Sequence, residues 1–146
     1  MKIAIGCDHS ALRMVNAIMA HLDAKGIEYE HFGTYTEESC NYPEFGEKAA
    51  RAVAEGRCDL GILVCGTGIG ISLAANKVKG IRAALCSDCY CAEMARQHNN
   101  ANMLALGARV VGEGLALKIV DTFLENSFAG GRHADRVQMI MDIENR

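Results

Sequence analysis

The chain has 146 residues, half of them apolar, and a formal net charge of −3. That is the length of one ordinary domain and enough to bury about two-thirds of the unfolded surface. The apolar content excludes disorder, and the weak negative charge argues against a mainly electrostatic nucleic-acid binder. No apolar run reaches the roughly 18 residues that a membrane span requires.

Strand-like runs alternate with helical periodicity along the chain. Ile3 to Gly6 reads as a first strand, and the N-terminal run is too short for a signal peptide. Leu12, Val15, Ile18, Met19 and Leu22 mark one helix face, with Gly26 as its stop. Ile27 to Phe32 reads as the second strand. Asn41-Tyr42-Pro43 opens a second helix with proline in its first turn and Phe45, Ala49, Ala52 and Val53 on its apolar side. Leu60 to Val64 is the third strand, followed by a glycine-rich turn and a helix from Ile71 to Val78. Ile81 to Cys86 is the fourth strand, with a helix from about Asp88 to His98 after it. Met103 to Leu106 is the fifth strand, and a helix spans about Glu113 to Glu125. Beyond Gly130-Gly131, Ala134 to Glu144 forms a terminal helix with Val137, Ile140, Met141 and Ile143 on its apolar side, free to pack on a second copy of the chain. Five βα repeats predict a single α/β domain over residues 1–146: a doubly wound, Rossmann-like five-stranded parallel sheet with helices on both faces and an extra C-terminal helix. Ligands in such folds sit at the carboxyl ends of the strands.

The seven cysteines lie at 7, 40, 58, 65, 86, 89 and 91. An odd count in a chain with a full-size core and no export signal predicts reduced thiols in a cytoplasmic protein. Cys86, Cys89 and Cys91 lack a second paired cluster, so buried structural thiols are preferred there to a metal site.

Most residues able to carry chemistry follow a strand. Asp8 and His9 follow the first, Cys65 to Gly70 the third, Ser87 and Asp88 the fourth, and Arg109 the fifth. The run Cys65-Gly66-Thr67-Gly68-Ile69-Gly70 puts a thiol at the tip of a buried strand, beside backbone N–H groups able to hold an anion. It is not a P-loop, because no Lys-Ser/Thr pair follows. It also fails the dinucleotide pattern, because position 71 is Ile. A glycine turn around an oxyanion is the stronger reading. His98, Asn99 and Asn100 precede the fifth strand, which puts them on the wrong edge of the sheet unless the site crosses a subunit boundary. Arg132, His133 and Arg136 form the one basic cluster.

These segments together resemble the type B ribose-5-phosphate isomerases, a family that includes galactose-6-phosphate isomerase subunits. The matching stretches are Ile3 to His9, Asp59 to Gly80, Gly80 to Ala84, Arg96 to Asn99, Leu104 to Val110 and Gly130 to His133. The resemblance implies a cofactor-independent aldose–ketose isomerase that interconverts ribose 5-phosphate and ribulose 5-phosphate in the pentose phosphate pathway. Cys65 would be the base, with Thr67 and His98 assisting ring opening. Asp8 and Asn99 would bind sugar hydroxyls. The N–H groups of Gly66, Gly68, Ile69 and Gly70 would hold the enediolate oxygen, and His9, Arg109, Arg132 and Arg136 the phosphate. It also implies a homodimer or tetramer with shared sites and no metal. Ala75 and Cys65 favour the thiol version over relatives with a glutamate base. A six-carbon sugar phosphate, allose or galactose 6-phosphate, is the alternative substrate. A non-catalytic phosphate- or nucleotide-binding module and a thiol redox or metal protein are the rivals from other classes.

Overall fold

The computed structural model describes residues 1–146. Five parallel strands, β1 (Lys2–Cys7), β2 (Glu28–His31), β3 (Leu60–Cys65), β4 (Ala83–Leu85) and β5 (Met103–Gly107), lie in the order β2-β1-β3-β5-β4. Around them run α1 (Leu12–Ala24), α2 (Tyr42–Ala54), α3 (Ile69–Ala75), α4 (Cys89–Gln97), α5 (Glu113–Glu125) and α6 (Arg132–Ile143). A short 3₁₀ turn over His9–Ala11 leads into α1. No helix is long and apolar enough to cross a membrane.

Right-handed crossovers fix which face each helix covers. The step from β1 to β2 runs one way across the sheet, and the steps from β2 to β3 and β3 to β4 run the other. The step from β4 back to β5 reverses again. Accordingly α1, α4 and α5 pack on one face and α2 and α3 on the other. The strands serve the two layers alternately, as a period of two requires. Ile3, Ile5, Ile62, Val64, Leu104 and Leu106 face the first layer; Ala4, Leu63, Cys65, Met103 and Ala105 face the second. Phe123 of α5 is fully buried in the larger core. Asp121 receives His21 Nε2 at 2.7 Å and Lys25 Nζ at 2.6 Å, which ties α5 to the end of α1.

Three boundaries differ from those read in the sequence. Gly68 is left-handed at φ +77°, and α3 starts directly on it, so the helix covers Ile69–Ala75 rather than Ile71 to Val78. The apolar run Ile81 to Cys86 is regular strand over Ala83–Leu85, in register with Met103–Ala105 of β5, its one neighbour at the sheet edge. The terminal helix begins at Arg132, directly after Gly130 and Gly131 at φ +66° and +57°.

All seven cysteines are free thiols. Of the three read as buried near α4, only Cys86 is buried; Cys89 is half-buried and Cys91 is exposed, on the outward side of the helix. Asp88 caps α4, its carboxylate accepting the Cys91 N–H at 2.7 Å.

Candidate active site

The direction of chain progression changes at β1 and β3, which are hydrogen-bonded neighbours, so their carboxyl ends form the switch-point crevice. The register pairs Cys7 with Val64 and Cys65 with Gly107. Asp8, Cys65 and the start of the turn after β5 therefore arrive side by side. They line a cleft of about 480 Å³ with His9, Ser10, Tyr42, Gly66, Thr67, Gly70, Leu73 and Arg109, and with Ile69.

Cys65 is buried at the end of β3. The loop that follows turns back over its side chain, and the Gly68 N–H donates to Sγ at 3.2 Å. A hydrogen bond to sulfur in this geometry strengthens when the sulfur carries negative charge. Gly68 is the one residue type that fits. Its φ is +77°, and a Cβ there would lie 2.8 Å from the Leu106 carbonyl carbon. The Ile69 N–H donates to Thr67 Oγ1 at 3.2 Å. Two of the N–H groups assigned to an oxyanion are thus engaged within the loop.

Strand β5 holds that loop in place. Ala108 N–H donates to the Cys65 carbonyl and Arg109 N–H to the Gly66 carbonyl, both at 2.9 Å. Gly107 lies directly beneath the Thr67 peptide, 2.7 Å from its oxygen at the Cβ position. The Arg109 guanidinium rests beside Gly66, with Nη1 3.3 Å from where a Cβ would stand.

On the β1 side, Asp8 is buried and caps the 3₁₀ turn. One carboxylate oxygen accepts Ser10 N–H at 3.0 Å and Ser10 Oγ at 2.6 Å. The Cys40 N–H donates to His9 Nδ1 at 3.2 Å, so a neutral His9 ring carries its proton on Nε2. Below them Cys7 Sγ sits 3.5 Å from His31 Nε2, and burial pushes its thiol up to about 12.

Three lining residues, Ser10, Leu73 and Tyr42, were not among the sequence candidates; the largest is Tyr42. It opens α2 at the carboxyl end of the sheet, and its ring lies against Gly70, where a Cβ would come within 2.7 Å of Oη.

Four of the sequence-derived candidates lie elsewhere. His98 ends α4 and Asn99 follows it, at the amino edge of the sheet before β5. Arg132 and Arg136 lie on α6. His98 and His133 stack with ring centroids 4.0 Å apart and planes inclined by 10°. Burial first, then His98, Arg132 and Arg136, hold the His133 imidazole below its ordinary range, as expected where positive charge is crowded. The chain therefore carries two separate groups: a thiol cleft at the carboxyl edge, and a cluster of histidines and arginines at the amino edge. No three His, Cys, Asp or Glu side chains converge as a metal would need.

The family model described as Ribose/Galactose Isomerase matches residues 3–140. The ribose-5-phosphate isomerase B of Escherichia coli strain K12 is 51% identical over 145 residues, covering 99% of this chain and 97% of that protein. The solved structure of Clostridium thermocellum ribose-5-phosphate isomerase B superposes with a TM-score of 0.98 at 56% identity, covering 99% of this chain and 98% of that one. The Mycoplasma genitalium ribose-5-phosphate isomerase B, solved with bound ribulose 5-phosphate, superposes at 0.95 with 42% identity, covering 99% and 97% of the two chains.

Proposed function

The chain belongs to the ribose/galactose isomerase family, and from that premise we propose that it is a type B ribose-5-phosphate isomerase with Cys65 as its base. The observation that carries this reading is the buried Cys65 sulfur in the switch-point cleft, receiving the Gly68 N–H. The proton to be moved lies α to a carbonyl and is weakly acidic. A thiolate can take it only where the developing oxyanion is stabilised at once. In the open-chain aldose, Cys65 removes the proton from carbon 2 and leaves an enediolate. A proton passes from the oxygen on carbon 2 to the oxygen on carbon 1, the same sulfur, on the same face, returns its proton to carbon 1, and the oxygen on carbon 2 becomes the carbonyl. Nothing is oxidised overall, so the step needs no redox cofactor. Asp8 suits the sugar hydroxyls, being a buried carboxylate at the cleft wall. Arg109 is the guanidinium of this cleft and suits the remote phosphate, whose binding fixes the reacting carbons.

Thr67 lines the cleft and serves ring opening. His98, Asn99, Arg132 and Arg136 reach the same chemistry from a second copy of the chain, in a homodimer. Supporting this are their distance from Cys65 along the fold and the apolar side chains left in solvent on the elements between. Ile69 and Leu73 on α3, Leu85 on β4, and Met139, Ile140 and Ile143 on α6 are all exposed. Six large apolar residues around one edge suit a contact between copies better than open water.

Initial rates on ribose 5-phosphate and allose 6-phosphate, with chelator present, test the reading for the unaltered protein and for Cys65→Ala. Turnover on ribose 5-phosphate that disappears in a folded Cys65→Ala protein is expected. Near-normal turnover in that variant would remove Cys65 as the base. Sedimentation tests the dimer, and a fully active monomer at assay concentration would contradict the shared site.

A further inference from the structure

Two arginines, Arg82 and Arg96, have no part in the chemistry above, yet both are half-buried and neither guanidinium bonds to a carboxylate. Every acceptor they use is uncharged. Placing an unpaired charge there is costly, and burial pushes both groups below their ordinary range. Beside the Gly80 carbonyl and the Met141 sulfur, what the charge obtains is a set of backbone carbonyls in two particular segments.

Arg96 Nη1 donates to the Ala101 carbonyl at 2.6 Å and Nε to the Asn126 carbonyl at 3.2 Å, while the group lies over the Phe123 ring at 5.4 Å. The first acceptor belongs to the turn that carries His98 and Asn99. The second opens the segment that leads through Gly130 and Gly131 to Arg132 and His133. Gln97 reinforces the same link: Nε2 donates to Asn126 Oδ1 at 2.7 Å, and its carbonyl accepts the Ala129 N–H at 2.9 Å. Arg82 closes the turn from the other side. Its Nε donates to the Asn100 carbonyl at 2.8 Å, and its own N–H to Asn102 Oδ1 at 2.8 Å. Between these contacts Asn100 sits at φ +47°, the one non-glycine residue in the left-handed region. The stacked His98 and His133 rings are the outcome of holding both segments at once.

We propose that Arg96, seconded by Arg82, is a positioning residue for the isomerisation: its fork fixes the His98–Asn99 turn and the Arg132–Arg136 helix start as one rigid unit delivered to the cleft of the other copy. This rests on the shared-site reading above. A lysine cannot replace it, because one ammonium lacks the planar fork that reaches two carbonyls in fixed directions. Displacement of such a unit by about 1 Å is enough to lower catalysis by about 100-fold.

The test uses hybrids of the full-length protein, made by co-expressing two differently tagged chains. Arg96→Lys alone is expected to be folded and dimeric, with kcat/KM lowered by about 10- to 100-fold. A hybrid of Arg96→Lys with Cys65→Ala should regain up to half the unaltered activity. One of its two sites then combines an intact Cys65 from one chain with an intact amino-edge cluster from the other. A hybrid of His98→Asn with Cys65→Ala is the control for the shared site. Recovery in the control but not with Arg96→Lys overturns the positioning role. So does unchanged kcat/KM in Arg96→Lys, whatever its melting temperature. Failure of the control removes the shared site itself, and the brace with it. Should Arg96→Lys not accumulate folded, Arg82→Lys in the same hybrid replaces it, with the same recovery expected and its absence counting against the proposal.

Discussion

Replacing Gly68 by alanine separates the demands of folding from those of chemistry at the thiol. Alanine must adopt φ +77°, which costs roughly 1–2 kcal/mol for an L side chain. Its Cβ would also lie 2.6 Å from Leu85 Cδ1, 2.8 Å from the Leu106 carbonyl carbon and 2.9 Å from its oxygen. The Leu85 side chain is exposed and can swing aside, but Leu106 is backbone of a central strand and cannot. The loop must therefore withdraw by several tenths of an ångström, at about 1–3 kcal/mol for overpacking. Together these lower stability by about 2–5 kcal/mol, or about 5–20 °C in melting temperature, which leaves a protein of ordinary stability folded. Withdrawal also lengthens the 3.2 Å bond from Gly68 N–H to Cys65 Sγ. Loss of a hydrogen bond to a charged acceptor is worth about 1.5–3 kcal/mol, so kcat should fall by about 10- to 100-fold. Gly66→Ala is the comparison, since its Cβ would meet only the flexible end of Arg109, at 3.3 Å. It should melt within about 2 °C of the unaltered protein and change KM more than kcat. Calorimetric melting and initial rates on both variants check the argument. A Gly68→Ala protein with unaltered melting and turnover would refute it, as would a Gly66→Ala protein that is the less stable of the two.

Gly70→Ala would bring a methyl within 2.6 Å of Tyr42 Cε2. The ring must leave the cleft wall, so KM for the sugar phosphate should rise while melting changes little, and an unchanged KM would show that Tyr42 does not border the substrate. Burial pushes the thiols of Cys7 and Cys86 up to about 12, from an ordinary 9.0. The folded chain keeps these protons where the unfolded chain releases them, so stability is lost as pH rises from about 9 toward 12, by about 1.4 kcal/mol per pH unit for each thiol. Urea midpoints between pH 8 and 11 should fall less steeply in a Cys7→Ala, Cys86→Ala double variant, and parallel slopes would count against the assignment. Phe123→Ala removes a fully buried ring and should cost about 3–5 kcal/mol by denaturant unfolding. Because Arg96 lies over that ring, kcat/KM at temperatures well below melting should fall too.

The alternation of apolar strand runs with helical periodicity made the parallel sheet, the two helical layers and nearly every element legible in the sequence. Strand order was not legible. Nothing between Ala83 and Gly107 marks β5 as the strand that inserts between β3 and β4, because that choice depends on which edges remain free after β3 has paired with β1. The residues around Cys65 could be found because a strand end and a glycine turn are local features. Asp8, His9 and Arg109 followed from the same rule. Tyr42 was missed because an aromatic at the start of a helix is ordinarily read as packing. Arg82 and Arg96 stand in segments that mark the family, yet all their partners but the Met141 sulfur are main-chain carbonyls, up to 30 residues away. Side-chain patterns do not reveal such contacts, since every residue offers the same carbonyl.

The division of the candidate residues between two edges of the sheet follows from the topology. The carboxyl edge presents the thiol, but its cleft holds one guanidinium, Arg109, against the buried carboxylate of Asp8. That balance is poor for a phosphate carrying nearly two negative charges. The other cations sit where α4 has run back to the amino edge and where α6 starts, and a single chain cannot fold that edge over its own carboxyl edge without breaking the sheet. A second copy can supply it. A substrate held between the copies binds the assembled pair and not the separated chains. It must then stabilise the pair by RT ln(1 + [L]/Kd), about 2.7 kcal/mol at a hundredfold excess over Kd. Association and substrate binding are in that arrangement one equilibrium. In the proposed dimer the apolar residues on α3, β4 and α6 would set its resting position, and the arginines would shift it when phosphate arrives.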